Sequence, residues 1–421
     1  MNKFEKYSSY KDSGVEWLGE IPEHWEIDKL KNYCKAFGRI GFRGYNTSDL
    51  VNESEGAITI SPSNIFEYSM TFNKCSFLRW EKYYESPEIQ IEENDILIVK
   101  TGSTFGKIGM VKNLPEKATI NPQLLVLKDI KIEQRFFYYM MTSSVIQTQV
   151  NQQVIGSTIP TISESKILNF VSILPSKEEQ TKIASFLDEK TAQIDEVISQ
   201  KEKLIELLKE RKQIVINDAV TKGLDKDVEM TDSGVEWIGK IPKHWEVIKF
   251  KHLFYEKKKT HDISLNCGSI SFGKVIEKND EKIPASTKAS YQVLNKGEFL
   301  INPLNLNYDL KSLRIGLSDL DVVVSSGYII IKNKENIDKI YFNWLLHRYD
   351  ISFMKTLGAG VRQTLNFGDI AETLLVNPPL EEQIKIAEYI ENQTSKIDIA
   401  IELQQNYISK LKEYKASLID S

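Results

Sequence analysis

Cysteine is scarce in this chain. Cys34, Cys75 and Cys267 lie far apart and are odd in number, which fits neither a disulfide framework nor a zinc site with ligand spacing. The five histidines form no metal cluster, because His24 and His244 are one repeated position. Long apolar runs are missing too. Nothing approaches the roughly 20 residues of a membrane span, and the polar start MNKFEKYSSYKDSG lacks the apolar core of a signal peptide. A cytoplasmic protein without a membrane partner is expected. An excess of positive charge is also absent. The net charge of -5 and pI near 5.8 argue against a protein that coats DNA with its whole surface. Local clusters such as KLKNYCKAFGRIGFR and YEKKKTH still leave room for a local DNA reader.

What is present is repetition. DSGVEWLGEIPEHWE, Asp12 to Glu26, returns as DSGVEWIGKIPKHWE, Asp232 to Glu246, with 12 identities in 15 positions. PSKEEQTKIA from Pro175 is answered by PPLEEQIKIA from Pro378, KIGMV around Gly109 by RIGLS around Gly316, and FFYYMM from Phe136 by YFNWLL from Tyr341. The landmarks keep their order while their offset shrinks from 220 to 203, as deletions in the second copy would cause. A chain of 421 residues exceeds the usual size of one core, so two homologous domains are expected rather than a solenoid.

Each copy reads as mixed α+β. GAITISP, NDILIVK, KIGMV and QLLVLK in the first half, and GEFLINP, RIGLS, DVVVSS and GYIIIK in the second, are β-branched or apolar stretches between breakers and predict strands. A short amphipathic helix is predicted at about Glu133 to Thr148 and again at Asn336 to Ser352. From Lys177 to Thr221 there is no internal Gly or Pro, and Ile183, Leu187, Ile194, Ile198, Ile205, Leu208 and Val215 make a narrow helical stripe. Ile386, Ile390, Ile397, Ile401, Ile408, Leu411 and Leu418 repeat it. A stripe sustained over five or six heptads needs a partner helix. Connectivity makes that pair antiparallel, with a rod of roughly 65 Å and approximate twofold symmetry. The expected boundaries are domain one over 1–176, spacer helix one over 177–222, domain two over 223–378 and spacer helix two over 379–421.

In combination, DSGVEWLGEIPEHWE, NDILIVKTGSTFGKIGMV, GSTIPTIS, GAGVRQTLNF and the PLEEQIKIA helix start closely resemble the specificity subunit of type I restriction-modification systems. The resemblance spans essentially the whole chain. It implies two target-recognition domains reading a split sequence in double-stranded DNA, and two helices that act as ruler and as platform for two modification (methyltransferase) subunits. It implies no catalysis and no cofactor in this chain. S-adenosylmethionine, ATP and magnesium belong to the modification and restriction/motor partners. A fused methyltransferase-specificity enzyme and a coiled-coil scaffold without DNA function are the competing readings. Half-sites on one face of B-DNA lie about 34 Å apart or a multiple of that, and a stiff helix pair holds such a spacing better than a flexible linker.

Three motifs mislead. NPPL at Asn377 lacks the aromatic that would stack on a target adenine. GSTFGKIG at Gly102 is one residue short of a phosphate-binding loop and has Ile108 in place of Ser or Thr. GAGVRQ has two glycines and no third.

Polar loops with forked or hydroxyl donors suit base edges and phosphates. In the first half these are Arg39, Arg43, Lys100, Thr101, Ser103, Thr104, Lys107, Ser157 and Thr158. In the second they are Lys257, Lys258, Lys259, Asn305, Asn307, Lys311, Arg362 and Gln363. Outward faces of the helix starts, Glu178, Glu179, Gln180 and Lys182 with their repeats Glu381, Glu382, Gln383 and Lys385, are candidate docking residues for a partner subunit. The repeated phrase carries Trp17, Trp25, Trp237 and Trp245, four of the six tryptophans. Domains that read different half-sites would not read them with identical residues, so the phrase is expected to be common scaffold.

Overall fold

The computed structural model describes residues 7–66, 69–154, 160–281, 283–304, 313–354 and 365–421. Contacts divide the chain into two units, residues 1–200 with 406–421, and residues 201–405. Each long helix therefore gives one part of its length to each unit.

In unit 1 the strand Ile96–Val99 is the pivot, and the predicted NDILIVK forms it because four consecutive β-branched or leucine residues can all be buried. It pairs antiparallel with Ile108–Met110 on one side and Leu124–Lys128 on the other, and the latter pairs with Lys35–Gly38. Side-chain alternation then sorts the strand between two cores. Ile96 and Ile98 join the cluster with Phe136, Phe137 and Met141 of the helices. Leu97 and Val99 join Ile58 and Ile60 of a second, five-stranded sheet. The result is helix layer, sheet, sheet.

Unit 2 repeats the central sheet strand for strand. Its order is Phe254–Glu256, Ile329–Asn333, Phe299–Ile301, Ile315–Leu317, matching Lys35–Gly38, Leu124–Lys128, Ile96–Val99, Ile108–Met110. The same sorting holds, with Phe299 and Ile301 facing the helices and Leu300 facing away. The hairpin at the repeated phrase, Tyr10–Asp12 with Glu20–Pro22, recurs as Met230–Asp232 with Lys240–Pro242. The units differ beyond the central sheet. Five strands in unit 1 are answered in unit 2 by two separate pairs, Gly268–Ser271 with Lys274–Glu277 and Gln292–Leu294 with Val322–Val324.

The predicted helix at Glu133 to Thr148 is two helices, Gln134–Thr142 and Ser144–Gln152. Ser143 breaks it with extended backbone (ψ 168°) while its hydroxyl donates to the Met140 carbonyl at 2.8 Å, the local side-chain bond by which serine competes with helix. In unit 2 one helix, Lys339–Ser352, fills the corresponding place.

The long helices span Lys177–Lys222 and Leu380–Asp420. In unit 2 Lys201 meets Gln404 and Lys212 meets Asp398, so the segments run antiparallel there. In unit 1 Leu187, Ile194, Ile198 and Leu418 are buried in the domain core, and the buried Lys415 donates to Asp195 at 2.7 Å. None of the described helices is long and apolar enough to cross a membrane.

Candidate nucleic-acid interface

The pivot strand of unit 1 ends at a polar loop, Lys100 to Lys107, that its own backbone closes. Gly106 N–H donates to the Val99 carbonyl and Val99 N–H to that of Lys107, both at 2.9 Å. The loop base is tied on both flanks. Lys100 N–H reaches the Gln123 carbonyl at 2.8 Å and Ile162 N–H reaches the Lys100 carbonyl at 3.0 Å. Thr101 forms a bridge with Thr161, whose hydroxyl donates to that of Thr101 at 3.3 Å. Two candidate stretches far apart in sequence, the Lys100 loop and the chain beyond Ser157 and Thr158, are thereby held at one edge. Ser157 and Thr158 themselves lie outside the described residues.

Beside this loop is a hollow of about 280 Å³ lined by Ser61, Ser63, Thr101, Ser103, Thr104 and Gln123, with Pro62 and Gly102. Its walls offer hydroxyls and one carboxamide and no formal charge, a set that can both donate and accept. Asn121 and Gln123 fix one another, Asn121 Nδ2 donating to Gln123 Oε1 at 3.2 Å and Gln123 N–H to Asn121 Oδ1 at 2.9 Å. The Gln123 amide nitrogen remains directed toward Gly102. Sequence reading named Thr101, Ser103 and Thr104 and missed Ser61, Ser63 and Gln123. The first two sit in a turn, SPSN, where Asn64 accepts from Ser61, and nothing local in the sequence distinguishes that turn from a structural one.

The basic candidates are less available than their positions suggested. Arg39 is 6% exposed. Its Nε donates to the Ile120 carbonyl at 3.1 Å and Nη2 to Thr119 Oγ1 at 2.9 Å, while its guanidinium lies 5.2 Å from the Tyr45 ring centre. Burial lowers its pKa, and neighbouring Tyr45, Glu85 and Glu88 oppose that. Arg43 is paired with Glu88 at 3.2 Å. Lys100 and Lys107 are half-buried at the two ends of the loop.

In unit 2, Lys257 Nζ donates to the Val293 carbonyl, Asn295 Oδ1 and Glu298 Oε2, all within 3.0 Å. Protein oxygens thus hold Arg39 and Lys257, and neither is offered to a groove. Lys258 is exposed, and Lys259 reaches the Ser326 carbonyl at 2.8 Å. Past the pivot strand of unit 2, Asn302 N–H donates to the Arg314 carbonyl at 2.8 Å, and Leu365 N–H to that of Pro303 at 3.2 Å. Asn305, Asn307, Lys311, Arg362 and Gln363 lie outside the described residues. Sequence reading also missed Arg314. Its Nε and backbone N–H both bond Asp350, at 2.9 and 2.6 Å.

The helix starts correct an expectation. Gln180 and Gln383, 4% and 2% exposed, face inward rather than outward. Gln180 Oε1 accepts from Glu133 N–H and its amide donates to the Pro175 carbonyl; Gln383 does the same with Asp338 and Pro378. Glu179 accepts from His24 at 2.8 Å and Trp25 at 3.5 Å, and Glu382 from His244 at 2.7 Å and Trp245 at 2.9 Å. Partial burial raises the Glu179 pKa, yet bonds from His24, Ser176 and Trp25 bring it down to about 2. The repeated HW is therefore a clasp on the repeated EEQ, which makes the phrase scaffold. Glu178 and Lys182 remain exposed and paired to each other, and Glu381 and Lys385 are exposed.

The family model described as the type I restriction modification DNA specificity domain matches residues 23–207 and 242–408. The putative type I restriction enzyme MjaX specificity subunit of Methanocaldococcus jannaschii is 24% identical, with 99% of this chain and 96% of that protein covered. The type I restriction enzyme EcoDI specificity subunit of Escherichia coli is 23% identical over 73% of each. Among solved structures, a chain from a study of assembly and conformational transition of the type I R-M system has a TM-score of 0.66 at 15% identity, covering 94% of this chain and 97% of that one. The HsdS subunit from Thermoanaerobacter tengcongensis has a TM-score of 0.50 at 14% identity, covering 95% and 96%.

Proposed function

The chain belongs to the type I restriction modification DNA specificity family, and on that premise we propose that it is the non-catalytic DNA-reading subunit of a type I restriction-modification complex. Unit 1 reads one half of a split target and unit 2 the other. The observation that carries this reading is the duplicated loop edge. In each unit the first residues past the pivot strand are bonded to the segment that follows the helix layer, through Thr101 and Thr161 in one and Pro303 and Leu365 in the other. Matching central sheets followed by unlike sequences suit two different half-sites.

In unit 1 the reading set is Thr101, Ser103, Thr104, Lys100 and Lys107, joined by Ser61, Ser63 and Gln123, with Ser157 and Thr158 on the adjoining segment. In unit 2 it is Lys258, Lys259, Asn305, Asn307, Lys311, Arg362 and Gln363. Forked side chains such as Arg362 and Gln363 are suited to guanine and adenine edges respectively.

The long helices hold the spacing and receive two modification subunits, which supply S-adenosylmethionine chemistry. Restriction/motor subunits with ATP and magnesium complete the assembly in the cytoplasm. Docking falls to the exposed faces. Glu178, Lys182, Glu381 and Lys385 stand at the helix starts, and within unit 2 Leu204, Leu207, Ile214, Ile399 and Leu403 are large apolar side chains exposed to solvent, which suits contact with a partner. The boundaries 1–176, 177–222, 223–378 and 379–421 describe these working parts.

The test is to map methylated adenines in cells with and without this gene. A split motif that disappears with the gene is the expected result; an unchanged methylation pattern, in cells where the modification subunit is expressed, refutes the reading.

A further inference from the structure

Gly56–Ile60 and Ala118–Ile120 pair in parallel, Ile60 opposite Ile120, so both strands deliver their next residues to the same edge. Ser61 to Asn64 leave one and Asn121 to Gln123 the other, and Asn121 N–H donates to the Ile60 carbonyl at 2.8 Å. These turns and the loop after Ile96–Val99 enclose the polar hollow of unit 1. Gln123 is the residue there whose hydrogen-bonding direction is set. Its N–H donates to Asn121 Oδ1 at 2.9 Å, which turns Asn121 Nδ2 toward Gln123 Oε1 at 3.2 Å. The Gln123 carbonyl accepts from Lys100 N–H at 2.8 Å.

One amide therefore orients the other. The Nε2 end of Gln123 lies over Gly102, where a Cβ would stand 3.2 Å from it, and Gly102 has φ 107°. A side chain at that position would crowd the carboxamide and strain the backbone. Gln123 is exposed, and among the described residues its Nε2 meets no acceptor. Two N–H groups and one lone pair of Oε1 are left for a partner. Among the described residues none that lines the hollow carries a formal charge, and Lys100 directs its ammonium toward Gly38. Such a site suits a base edge better than a phosphate.

We propose that Gln123 specifies an adenine in the half-site read by unit 1, with Asn121 as its positioning residue. This rests on the DNA-reading function proposed above. In the major groove adenine presents the acceptor N7 beside the donor N6 amino group, which Nε2 and Oε1 complement. Guanine presents two acceptors, N7 and O6, and Oε1 would face one of them unpaired.

The test uses the full chain assembled with its modification subunits, on its mapped target duplex, on a scrambled duplex, and on duplexes that change one base pair at a time. Gln123→Ala is expected to bind the target about tenfold more weakly and to lose discrimination at a single A·T pair, with every other position read as before. Gln123→Glu, whose carboxylate only accepts, is expected to prefer cytosine in place of that adenine. Asn121→Asp keeps the acceptor for Gln123 N–H and removes the donor to Oε1. It is expected to lose discrimination at that same pair at an unchanged melting temperature. A wild-type complex that does not tell target from scrambled duplex removes the DNA-reading function, and this proposal falls with it. Where the wild type discriminates, this proposal alone is overturned if Gln123→Ala reads every pair as before, weakens all duplexes equally as loss of a phosphate contact would, or relaxes a G·C pair.

Discussion

One repeated pair of residues shows how little of a motif's meaning is local. Gly109 and Gly316 lie in the repeated KIGMV and RIGLS, and each is glycine because a hairpin crosses it: a Cβ would reach Met70 at 2.9 Å in one and the Gly273 carbonyl at 2.5 Å in the other. Backbone cannot yield as a flexible side chain can, so Gly316→Ala is expected to cost more than Gly109→Ala, about 2 to 3 kcal/mol, seen as a larger fall in melting temperature. His347 offers a pH test. Burial pushes its pKa down to about 4, so the folded state holds it neutral while the unfolded chain takes a proton near pH 6.5. Stability is therefore full above about pH 6.5 and declines as the pH falls toward 4. His347→Gln is expected to flatten that acid limb by about 2 kcal/mol, measured by denaturant titrations at pH 7 and pH 5.

At the scale of elements, the helix starts are positioned by clasps rather than by helix propensity. His24 and Trp25 on Glu179, and His244 and Trp245 on Glu382, anchor each copy of the repeated phrase to the first turn of a long helix. Glu382→Gln keeps the shape but replaces a charged acceptor, and a loss of about 1 to 2 kcal/mol is expected, read as earlier melting with an unchanged circular-dichroism spectrum. Within unit 1, Lys415 is 5% exposed and donates to Asp195 at 2.7 Å. Asp195→Ala removes that acceptor from a buried ammonium and is expected to destabilise, whereas Lys415→Met is expected to be neutral or stabilising, because an apolar side chain of similar size needs no charged partner. A stability comparison of the two variants separates the cases.

At the scale of the whole molecule, the two units share their long helices. Leu187, Ile194 and Leu418 close the unit 1 core, and Ile216, Val220, Ile386 and Ile390 close that of unit 2. A fragment of residues 1–176 loses the apolar surface that covers its helix layer, and is expected to aggregate where the full chain stays monodisperse by light scattering. The two reading edges are expected to act separately. Replacing Thr101, Ser103 and Thr104 together by Ala should relax the first half of the methylated motif and leave the second half intact, which motif mapping reads directly.

The duplication, the central strands and the long helices were legible in the amino-acid sequence alone, because repeats, β-branched runs and a heptad stripe are patterns of near neighbours. NDILIVK is a strand wherever its partners lie. Ser143 was less legible, since a helical stripe runs through it and a single hydroxyl bond to Met140 decides the break. The reading edge was legible only in pieces. Thr101 and Thr161 are 60 residues apart, Gln123 reaches the hollow from the turn before Leu124–Lys128, and Arg39, Lys257, Gln180 and Gln383 have the composition of surface residues yet are held inside. Residue chemistry determined which side chains could donate or accept; tertiary structure decided which donors meet the protein's own acceptors and which are left for a partner, because that depends on contacts between segments the sequence keeps far apart.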